Sequence, residues 1–445
     1  MRSILLALFL VNMLAAQAQQ DLKLFEIIDK TSADEIEKDI TKLVSFGTRN
    51  TFSDTTSNTR GIGAARRWLK SEYESISKDC NSCLEVFYQS GTVTPKTSDR
   101  VPKKAEVVNV VAIQRGTKYP NSYIMMSGDI DSRASDTQDF KTNAPGANDN
   151  ASGLAGTIEA ARVLSQYAFE HSIVYVGLSG EEQGLFGGQF LAKYAKENNW
   201  NIIGILNNDM IGNIKGSDGV IDNRTFRIFS EAYNPTETER ERIMKRYYGG
   251  ENDGVSRQLA RYIHKTTRTY MPEMNPMMVY RLDRFGRGGH HKPFNDLGFP
   301  GVRIMEAHEN YVQQHQDVRK ENGVQYGDML KFVNFDYAEK LTAVNAISMA
   351  NIAWAPPEPE KVKIGGMVEG SVKLAWDEVK ADDLRGYKIY WRKTTSPTWD
   401  NARFIGKKTK FTLDGIVIDN YLFGIASVDK DGHESVVVFP SGLLR

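Results

Sequence analysis

The 445-residue chain has only two cysteines, Cys80 and Cys83, and no excess of charge of either sign. Lys+Arg and Asp+Glu each number 56, and no long block of one sign occurs. The chain therefore lacks the charge pattern of a protein that binds nucleic acid or an acidic membrane surface. A structural zinc site would need two further Cys or His residues close to the C-x-x-C pair, and none follows. We predict no nucleic-acid partner.

Long apolar runs are also lacking, because no segment after the first residues approaches about 18 consecutive apolar residues. The start of the chain combines Arg2 with a short apolar stretch, followed by the small-x-small pattern Ala16-Gln-Ala18. This pattern predicts a signal peptide over residues 1–18, with an uncleaved anchor as the alternative. We expect a secreted or periplasmic protein without a membrane span after cleavage. Export permits a disulfide between Cys80 and Cys83, with free thiols as the alternative.

Helical and strand patterns alternate through the first half of the chain. The helical patterns cover residues 32–46, 61–75, 153–164 and 184–197, and the strand-like runs cover 84–88, 107–114, 123–127, 173–178 and 202–208. The stretch from 216 to 275 is more polar, and its charged segment 237–246 predicts a solvated helix face. The alternation predicts an α/β fold with a mixed, largely parallel central sheet flanked by helices.

The proline-rich segment Ala355-Pro-Pro-Glu-Pro359 predicts a linker, because successive prolines stop helices. Short strand patterns separated by turn residues follow it, as in a small all-β sandwich. Trp376, Tyr387 and Tyr390 in these strands resemble the pattern of fibronectin type III domains. We predict one domain over residues 19–354 and a fibronectin type III-like sandwich over 355–445.

Acidic residues form three clusters, two of which close apolar runs. Asp149 lies in Asn148-Asp-Asn150, Glu181-Glu182 follows one predicted strand, and Asp209 ends the next. Ligands gather outside the carboxyl ends of strands in open α/β sheets, and carboxylates that meet there would repel one another without a cation. The clusters therefore predict a metal site. Taken singly, an Asx turn at Asp149 and a helix N-terminal pair at Glu181-Glu182 are the alternatives.

The motifs between residues 30 and 352 resemble the M28 family of zinc aminopeptidases, in its secreted bacterial type. In chain order the motifs are Asp129-Ile-Asp-Ser-Arg133, Pro145-Gly-Ala-Asn-Asp-Asn-Ala-Ser-Gly153, Glu181-Glu-Gln-Gly-Leu185, Asn208-Asp-Met-Ile-Gly212 and His315. The resemblance implies a zinc exopeptidase-like fold and two zinc ions. Asp149 matches the bridging ligand, Glu182, Asp209 and His315 match terminal ligands, and Glu181 matches the general base. Taken alone, His315 would more often be a surface or packed histidine.

Two positions depart from the family pattern. Asp129 stands where the family has a metal-binding histidine, and Asp131 matches the aspartate that orients that histidine. His290 stands where the family has an aspartate, and His291 follows it. We interpret the two changes as an exchange in which Asp129 binds zinc through oxygen and His290 or His291 reaches the metal or the substrate. The alternative is a loop whose histidines only bond to the backbone.

The resemblance implies a secreted zinc aminopeptidase that removes N-terminal residues from peptides, with Glu181 as general base toward a metal-activated water. A carboxypeptidase or a single-zinc glutaminyl cyclase of similar fold is an enzymatic alternative. A catalytically inactive binding or adhesion protein is the alternative of another class. We expect peptides as partners, and contact with a polymer or a surface is a further role for the C-terminal domain.

Overall fold

The computed structural model describes residues 21–444, so the predicted signal peptide lies outside the described residues. The helices in chain order are α1 (Leu22–Lys30), α2 (Ala33–Ser45), α3 (Gly61–Asp79), α4 (Gly153–Leu164), α5 (Glu181–Gly184), α6 (Phe186–Glu197), α7 (Glu239–Tyr248), α8 (Val255–Tyr270), α9 (His291–Asn295) and α10 (Phe335–Trp354). Within the described residues, no helix combines the length and the apolar composition needed to cross a membrane.

Ten strands precede helix α10 and seven follow it. The first ten are β1 (Leu84–Val93), β2 (Ala105–Gln114), β3 (Tyr119–Asp129), β4 (His171–Leu178), β5 (Asn201–Asn208), β6 (Thr225–Ser230), β7 (Asn275–Val279), β8 (Gly301–Glu306), β9 (Arg319–Glu321) and β10 (Val324–Tyr326). The last seven are β11 (Lys363–Gly365), β12 (Ser371–Ala375), β13 (Leu384–Lys393), β14 (Asn401–Phe404), β15 (Lys410–Asp414), β16 (Tyr421–Asp429) and β17 (Gly442–Leu443).

An eight-stranded sheet in the order β1-β2-β4-β3-β5-β8-β6-β7 forms the centre of the molecule. Strands β4, β3, β5 and β8 run parallel to one another. Strands β1 and β2 on one side and β6 beside β8 introduce antiparallel pairs. The carboxyl ends of the four parallel strands therefore share one edge of the sheet, which is where ligands gather in such folds.

Helices cover both faces of this sheet. Helices α2, α3, α4, α8 and α10 contribute to one large apolar cluster, and α6 contributes to a second one with Leu191, Ala192 and Ala195. Helix α10 is apolar almost all round and lies against α4, as expected for a helix buried inside a domain. Strand β4 is buried along its whole length, so both faces of the sheet are covered.

The predicted α/β class is confirmed, and several local predictions are confirmed with it. Ser32 caps α2, where its side chain accepts the N–H of Glu35. Helix α7 has no buried residue, as predicted for the charged segment 237–246. The structure also contains strands β6, β7 and β8, for which the sequence pattern gave no prediction. A disulfide joins Cys80 to Cys83 just after α3.

After α10 the chain forms two small sheets that enclose their own apolar cluster. One sheet has the order β15-β12-β11-β17 and the other has the order β14-β13-β16. Val372 and Leu413 of the first sheet share a cluster with Tyr387, Ile389 and Phe423 of the second. This arrangement is a sandwich of two sheets.

Buried charges link this C-terminal sandwich to the rest of the molecule. The two carboxylate oxygens of Asp253 contact Arg261 of α8 and Arg392 of β13, each at 2.7 Å. Glu434 contacts Lys265 of α8 at 2.7 Å and Lys388 of β13 at 2.5 Å. The sandwich is therefore fixed against α8 by paired ions rather than by the linker alone.

Candidate metal centre and catalytic carboxylate

The acidic clusters predicted from the sequence meet at the shared edge of the parallel strands. Asp129 is the last residue of β3, Glu181 and Glu182 begin α5 directly after β4, and Asp209 follows β5. Strand β3 lies between β4 and β5, so the three strand ends are neighbours. Residues up to 80 positions apart in sequence are brought together by this strand order alone.

The loop that carries Asp149 is held by two buried charged residues from distant parts of the chain. Arg49 is fully buried and donates to the carbonyl oxygens of Pro145 at 2.5 Å and Gly146 at 2.8 Å. Asp328 accepts the backbone N–H groups of Asn148 at 2.9 Å and Asp149 at 2.7 Å. Gly146 has φ +53°, and a Cβ there would lie 2.5 Å from the carbonyl oxygen of Asp149. The position of Asp149 is therefore fixed by its backbone.

Asn150 connects the loop to two strand ends. Its side-chain amide donates to the carboxylate of Asp129 at 2.8 Å and to the carbonyl of Asn208 at 2.8 Å. Its side-chain oxygen accepts from the N–H groups of Gly153 and Met210, each at 3.1 Å. All the polar capacity of this buried side chain is used to hold β3, β5 and the start of α4 in register.

Asp149, Glu182 and His315 bring one ligand atom each into a common group whose atoms all lie within 4.8 Å of one another. The Nε2 atom of His315 lies 2.9 Å from Oδ2 of Asp149 and 3.3 Å from Oε1 of Glu182. Burial alone would lower the pKa of His315, but the charges of Glu182 and Asp149 raise it to about 9. Two carboxylates thus converge on one imidazole nitrogen, as ligands do around a cation.

Asp131 supports the turn that carries Glu181 and Glu182. Its two carboxylate oxygens accept the backbone N–H groups of Glu181 and Glu182, both at 3.3 Å, and one of them also accepts the hydroxyl of Thr51 at 3.2 Å. The sequence placed Asp131 as the partner of residue 129. The structure gives it another role, which is to cap the N-terminus of α5.

Glu181 is partly buried beside the three-residue group without belonging to it. Burial raises its pKa well above the usual range, and the neighbouring charges of Glu182 and Asp209 raise it further. A carboxyl group with a raised pKa binds a proton more readily, as a group that passes protons must. This environment suits the role that the family pattern implies for Glu181.

Two predicted metal ligands, Asp129 and Asp209, are engaged by other partners. The carboxylate of Asp129 contacts Nδ1 of His290 at 2.5 Å through Oδ1, and Oδ2 accepts from Asn150. Asp209 contacts the buried guanidinium of Arg303 at 2.9 Å. These contacts leave Asp129 and Asp209 outside the group formed by Asp149, Glu182 and His315.

His291 does not reach the three-residue group. Its Nε2 atom lies 2.8 Å from the carbonyl oxygen of Leu282, and it is the first residue of the short helix α9. The sequence left open that His290 and His291 bond only to the backbone instead of reaching a metal or substrate. His291 has such a backbone partner, whereas His290 contacts the side chain of Asp129. The cause is that the two side chains point to opposite partners, Leu282 and Asp129.

Four residues of the site had no role in the sequence prediction, namely Arg49, Asn150, Arg303 and Asp328. Glu306 at the end of β8 is a further one, because its buried carboxylate accepts from the Asn148 side chain at 2.9 Å and from the Asn213 N–H at 2.9 Å. Burial raises the pKa of Glu306 well above its usual range. The position of Asn150 next to Asp149 was the only local signal for any of these.

A second group of acidic and histidine side chains lies in the C-terminal sandwich and comprises Asp429, Asp431 and His433. Both ring nitrogens of His433 already have partners, with Asp429 at 2.6 Å and Asp21 at 2.8 Å. Asp429 also accepts the N–H groups of Gly432 and His433, at 2.6 and 2.7 Å. These contacts form a turn that holds the beginning of α1, so we assign this group no metal.

Comparison with known proteins agrees with the geometry. The model of peptidase family M28 matches residues 109–332. A probable zinc metalloprotease of Pyrenophora tritici-repentis is 37% identical over 430 residues, covering 96% of this chain and 99% of that protein. The chain belongs to peptidase family M28. A probable zinc metalloprotease of Leptosphaeria maculans is 39% identical over 415 residues. The alignment covers 93% of this M28 chain and 96% of that protein.

The structure of the Legionella pneumophila LapA aminopeptidase resembles this M28 chain with a TM-score of 0.53. Its sequence identity is 16%, and the match covers 76% of this chain and 73% of that one. This likeness concerns the fold. The chain is thus a metallopeptidase by family, and because both named relatives are fungal, the bacterial type stays a prediction.

The donor set of this M28 peptidase fits one zinc ion. Zinc accepts carboxylate oxygen and imidazole nitrogen, and catalytic sites commonly use three protein ligands and leave one position for water or substrate. Asp149, Glu182 and His315 supply two oxygens and one nitrogen in a single group. Their side chains are 12%, 5% and 18% exposed, so the group opens to solvent.

Proposed function

We propose that this protein is a secreted zinc-dependent exopeptidase that removes residues from the N-terminus of peptides. The observation that carries the proposal is the position of Glu181 beside the group of Asp149, Glu182 and His315. Metal-assisted hydrolysis requires a metal site and a nearby group that accepts a proton. The three candidate zinc ligands and the carboxyl group of Glu181, with its raised pKa, meet these two needs.

Each residue has a chemical task in this proposal. Asp149, Glu182 and His315 would hold a zinc ion, and a bound zinc ion would supply Lewis acidity toward a water molecule and the scissile carbonyl. As water adds to the scissile carbonyl carbon, the carboxylate of Glu181 would take a proton from that water and deliver it to the amine that leaves when the C–N bond breaks. Asp131 keeps Glu181 in place by accepting its backbone N–H. Asp328 does the same for Asp149.

The preference for peptide N-termini is supported by the charge of the site. Five carboxylates lie at this edge of the sheet, namely those of Asp129, Asp149, Glu181, Glu182 and Asp209. An anionic opening attracts the α-ammonium group of an unblocked peptide and repels a C-terminal carboxylate. An aminopeptidase is therefore favoured over a carboxypeptidase.

Secretion and the role of the C-terminal sandwich belong to the same proposal. The basic and apolar start of the chain and Ala16-Gln-Ala18 support export with cleavage after residue 18. The two facing sheets after residue 355 support a fibronectin type III-like domain, which we propose as a contact module for polymer or surface. N-terminal sequencing of the exported protein tests the cleavage, since the mature chain should begin at Gln19 and a chain that still begins at Met1 would contradict it.

A panel of matched peptides tests the proposed reaction. The zinc-loaded protein should release the first residue from unblocked peptides, lose this activity when the N-terminus is acetylated, and keep it when the C-terminus is amidated. The reverse pattern would indicate a carboxypeptidase, and conversion of N-terminal glutamine to a cyclic product without hydrolysis would indicate a cyclase. Either outcome contradicts the proposal.

The variant Glu181→Gln separates an enzyme from a binding protein. Removal of a general base should lower kcat by about 10²–10⁴-fold, whereas the zinc content should not change because Glu181 is outside the ligand group. A wild-type protein that binds zinc but cleaves no peptide in the panel would support the binding protein instead.

A further inference from the structure

Arg303 of β8 is buried next to one of the predicted metal ligands. It is among the largest fully buried side chains of the molecule. Its Nη2 atom lies 2.9 Å from Oδ2 of Asp209, and its Nη1 atom lies 3.1 Å from both oxygens of Asp283. Nη1 also donates to the carbonyl of Gly288 at 3.1 Å, in the loop that precedes His290. One guanidinium thus holds β8, Asp209 and this loop together.

The other candidate ligand of a second ion is also engaged. Asp129 uses Oδ1 toward Nδ1 of His290 and Oδ2 toward the side-chain amide of Asn150. No oxygen of Asp129 is left without a partner. Of the two residues that would complete a second metal position with Asp149, Asp129 therefore has both oxygens engaged, and Asp209 has Oδ2 held by Arg303 while Oδ1 keeps no partner.

We propose that the guanidinium of Arg303 takes the place of a second zinc ion beside Asp209, so that the centre binds a single zinc ion. This inference rests on the proposed zinc centre of Asp149, Glu182 and His315. It replaces the two ions implied by the resemblance with one divalent ion and one fixed organic cation.

The physical argument is the competition of two cations for one carboxylate. A guanidinium does not lose its proton in proteins, so the charge of Arg303 is permanent. Burial would lower the pKa of Arg303, yet the carboxylates of Asp209 and Asp283 raise it further above its already high value. A second dication on Asp209 would lie close to this charge in a water-poor interior, where like charges repel strongly. The guanidinium meanwhile neutralises part of the acidic cluster, which is the task a second ion would have.

Two buried atoms, one of Asp209 and one of His290, could serve as ligands of a second zinc ion. Among the described residues, Oδ1 of Asp209 and Nε2 of His290 have no hydrogen-bond partner. A histidine that bonds to a carboxylate through one nitrogen often binds metal through the other. The proposal predicts that neither atom binds zinc, and this can be tested by counting ions.

The count is made on the full-length wild-type protein, saturated with zinc and freed of weakly bound metal by gel filtration. Elemental analysis and native mass spectrometry then give the number of ions per chain. The expected result is one ion, and a result of two overturns the proposal. A result of none removes the zinc centre itself, whereas one ion without peptidase activity contradicts the proposed reaction and leaves this inference intact.

Two substitutions of Arg303 test the cause. Arg303→Lys keeps a cation and should keep one zinc ion, whereas Arg303→Met removes the charge and should allow a second ion to bind at saturating zinc. Arg303→Met that stays at one ion contradicts the proposal. If Arg303→Met does not fold, Asp209→Asn decides the question. This variant should still bind one zinc ion, with a zinc affinity within about tenfold of wild type. Loss of a residue that supports or binds a metal typically lowers the affinity more than this. Loss of zinc from Asp209→Asn would make Asp209 a ligand and refute the assignment.

Discussion

The carboxylate of Asp328 accepts the backbone N–H of Asp149 at 2.7 Å, across 179 positions of sequence. It also accepts the N–H of Asn148, so both residues before the cis-linked Asn150 are anchored by one side chain. The ligand loop therefore depends on a residue that no local motif marks.

Replacement of Asp328 by Asn should weaken zinc binding. The side chain of Asn has one oxygen that accepts hydrogen bonds and an NH₂ group that can only donate them. One of the two acceptor positions of Asp328 is therefore lost, and with it part of the support of the loop. We expect the zinc dissociation constant to rise by about 10–100-fold, measured by competition with a chelating dye. Asp218→Asn is the matched control, because Asp218 is exposed and pairs with His308 away from the loop. Equal affinities in the two variants would contradict this role.

Replacement of Asp131 by Asn should lower activity without removing zinc. Asp131 holds the N–H groups of Glu181 and Glu182, and an amide in its place would turn a donor toward two donors. Loss of such a supporting contact typically costs about 10–100-fold in activity or in metal affinity. We expect the cost in kcat because Glu181 moves the proton, and because Asp149 and His315 keep their positions beside Glu182 we expect a zinc content at saturating zinc equal to that of wild type. A normal kcat would rule out the positioning role of Asp131.

The site was predictable from sequence where its residues lie at strand ends. Glu181, Glu182 and Asp209 follow apolar runs, and the alternation of strands and helices predicts that such ends share one edge, whereas Asp129 was found through the family pattern. Asp149 and His315 followed from the family pattern. The structure brings these six residues to one edge of the sheet, where Asp149, Glu182 and His315 form one group; the roles of all six stay predictions.

The engagement of Asp209 and Asp129 was not predictable, because it depends on where β8 enters the sheet. β8 lies between β5 and β6, and β6 comes from the polar stretch that gave no strand prediction. Only this order brings Arg303 beside Asp209. Likewise, the contact of His290 with Asp129 joins residues 161 positions apart. Spacing along the chain carries no information about such pairs.

The disulfide should stabilise the protein modestly without affecting the metal centre. Cys80 and Cys83 close a loop of four residues at the end of α3. The entropy of so short a loop predicts a loss of about 2 kcal/mol in the free energy of unfolding for the double variant Cys80→Ser/Cys83→Ser. Urea denaturation of both proteins with and without zinc measures this loss. If the two proteins had equal free energies of unfolding, the disulfide would contribute nothing to stability.

Glu434 should make the contact between the sandwich and α8 sensitive to acid. Burial would raise the pKa of Glu434, but Lys265 and Lys388 lower it to about 2 from an ordinary 4.5. Since the folded-state pKa is depressed, the stabilisation is complete above about pH 4.5 and is lost as the pH falls through about 2. The shift corresponds to about 3 kcal/mol at neutral pH.

The comparison of wild type with Glu434→Gln isolates this contribution. Both proteins are unfolded in urea at pH 7 and at pH 3, with a chelator present throughout so that zinc binding does not contribute. The variant should be less stable at pH 7, and the difference should shrink at pH 3. A difference that stays constant or grows toward acid would contradict the assignment.

The zinc content of His315→Ala, measured beside that of His291→Gln, tests whether Asp149, Glu182 and His315 form a zinc centre. His315 contacts both Asp149 and Glu182, whereas the Nε2 atom of His291 lies 2.8 Å from the carbonyl oxygen of Leu282 and 4.0 Å from Asp283, outside the ligand group. After equal zinc loading and gel filtration, we expect His315→Ala to have lost its bound zinc and His291→Gln to keep the wild-type amount. Zinc retained by His315→Ala, or lost from a folded His291→Gln, would contradict it.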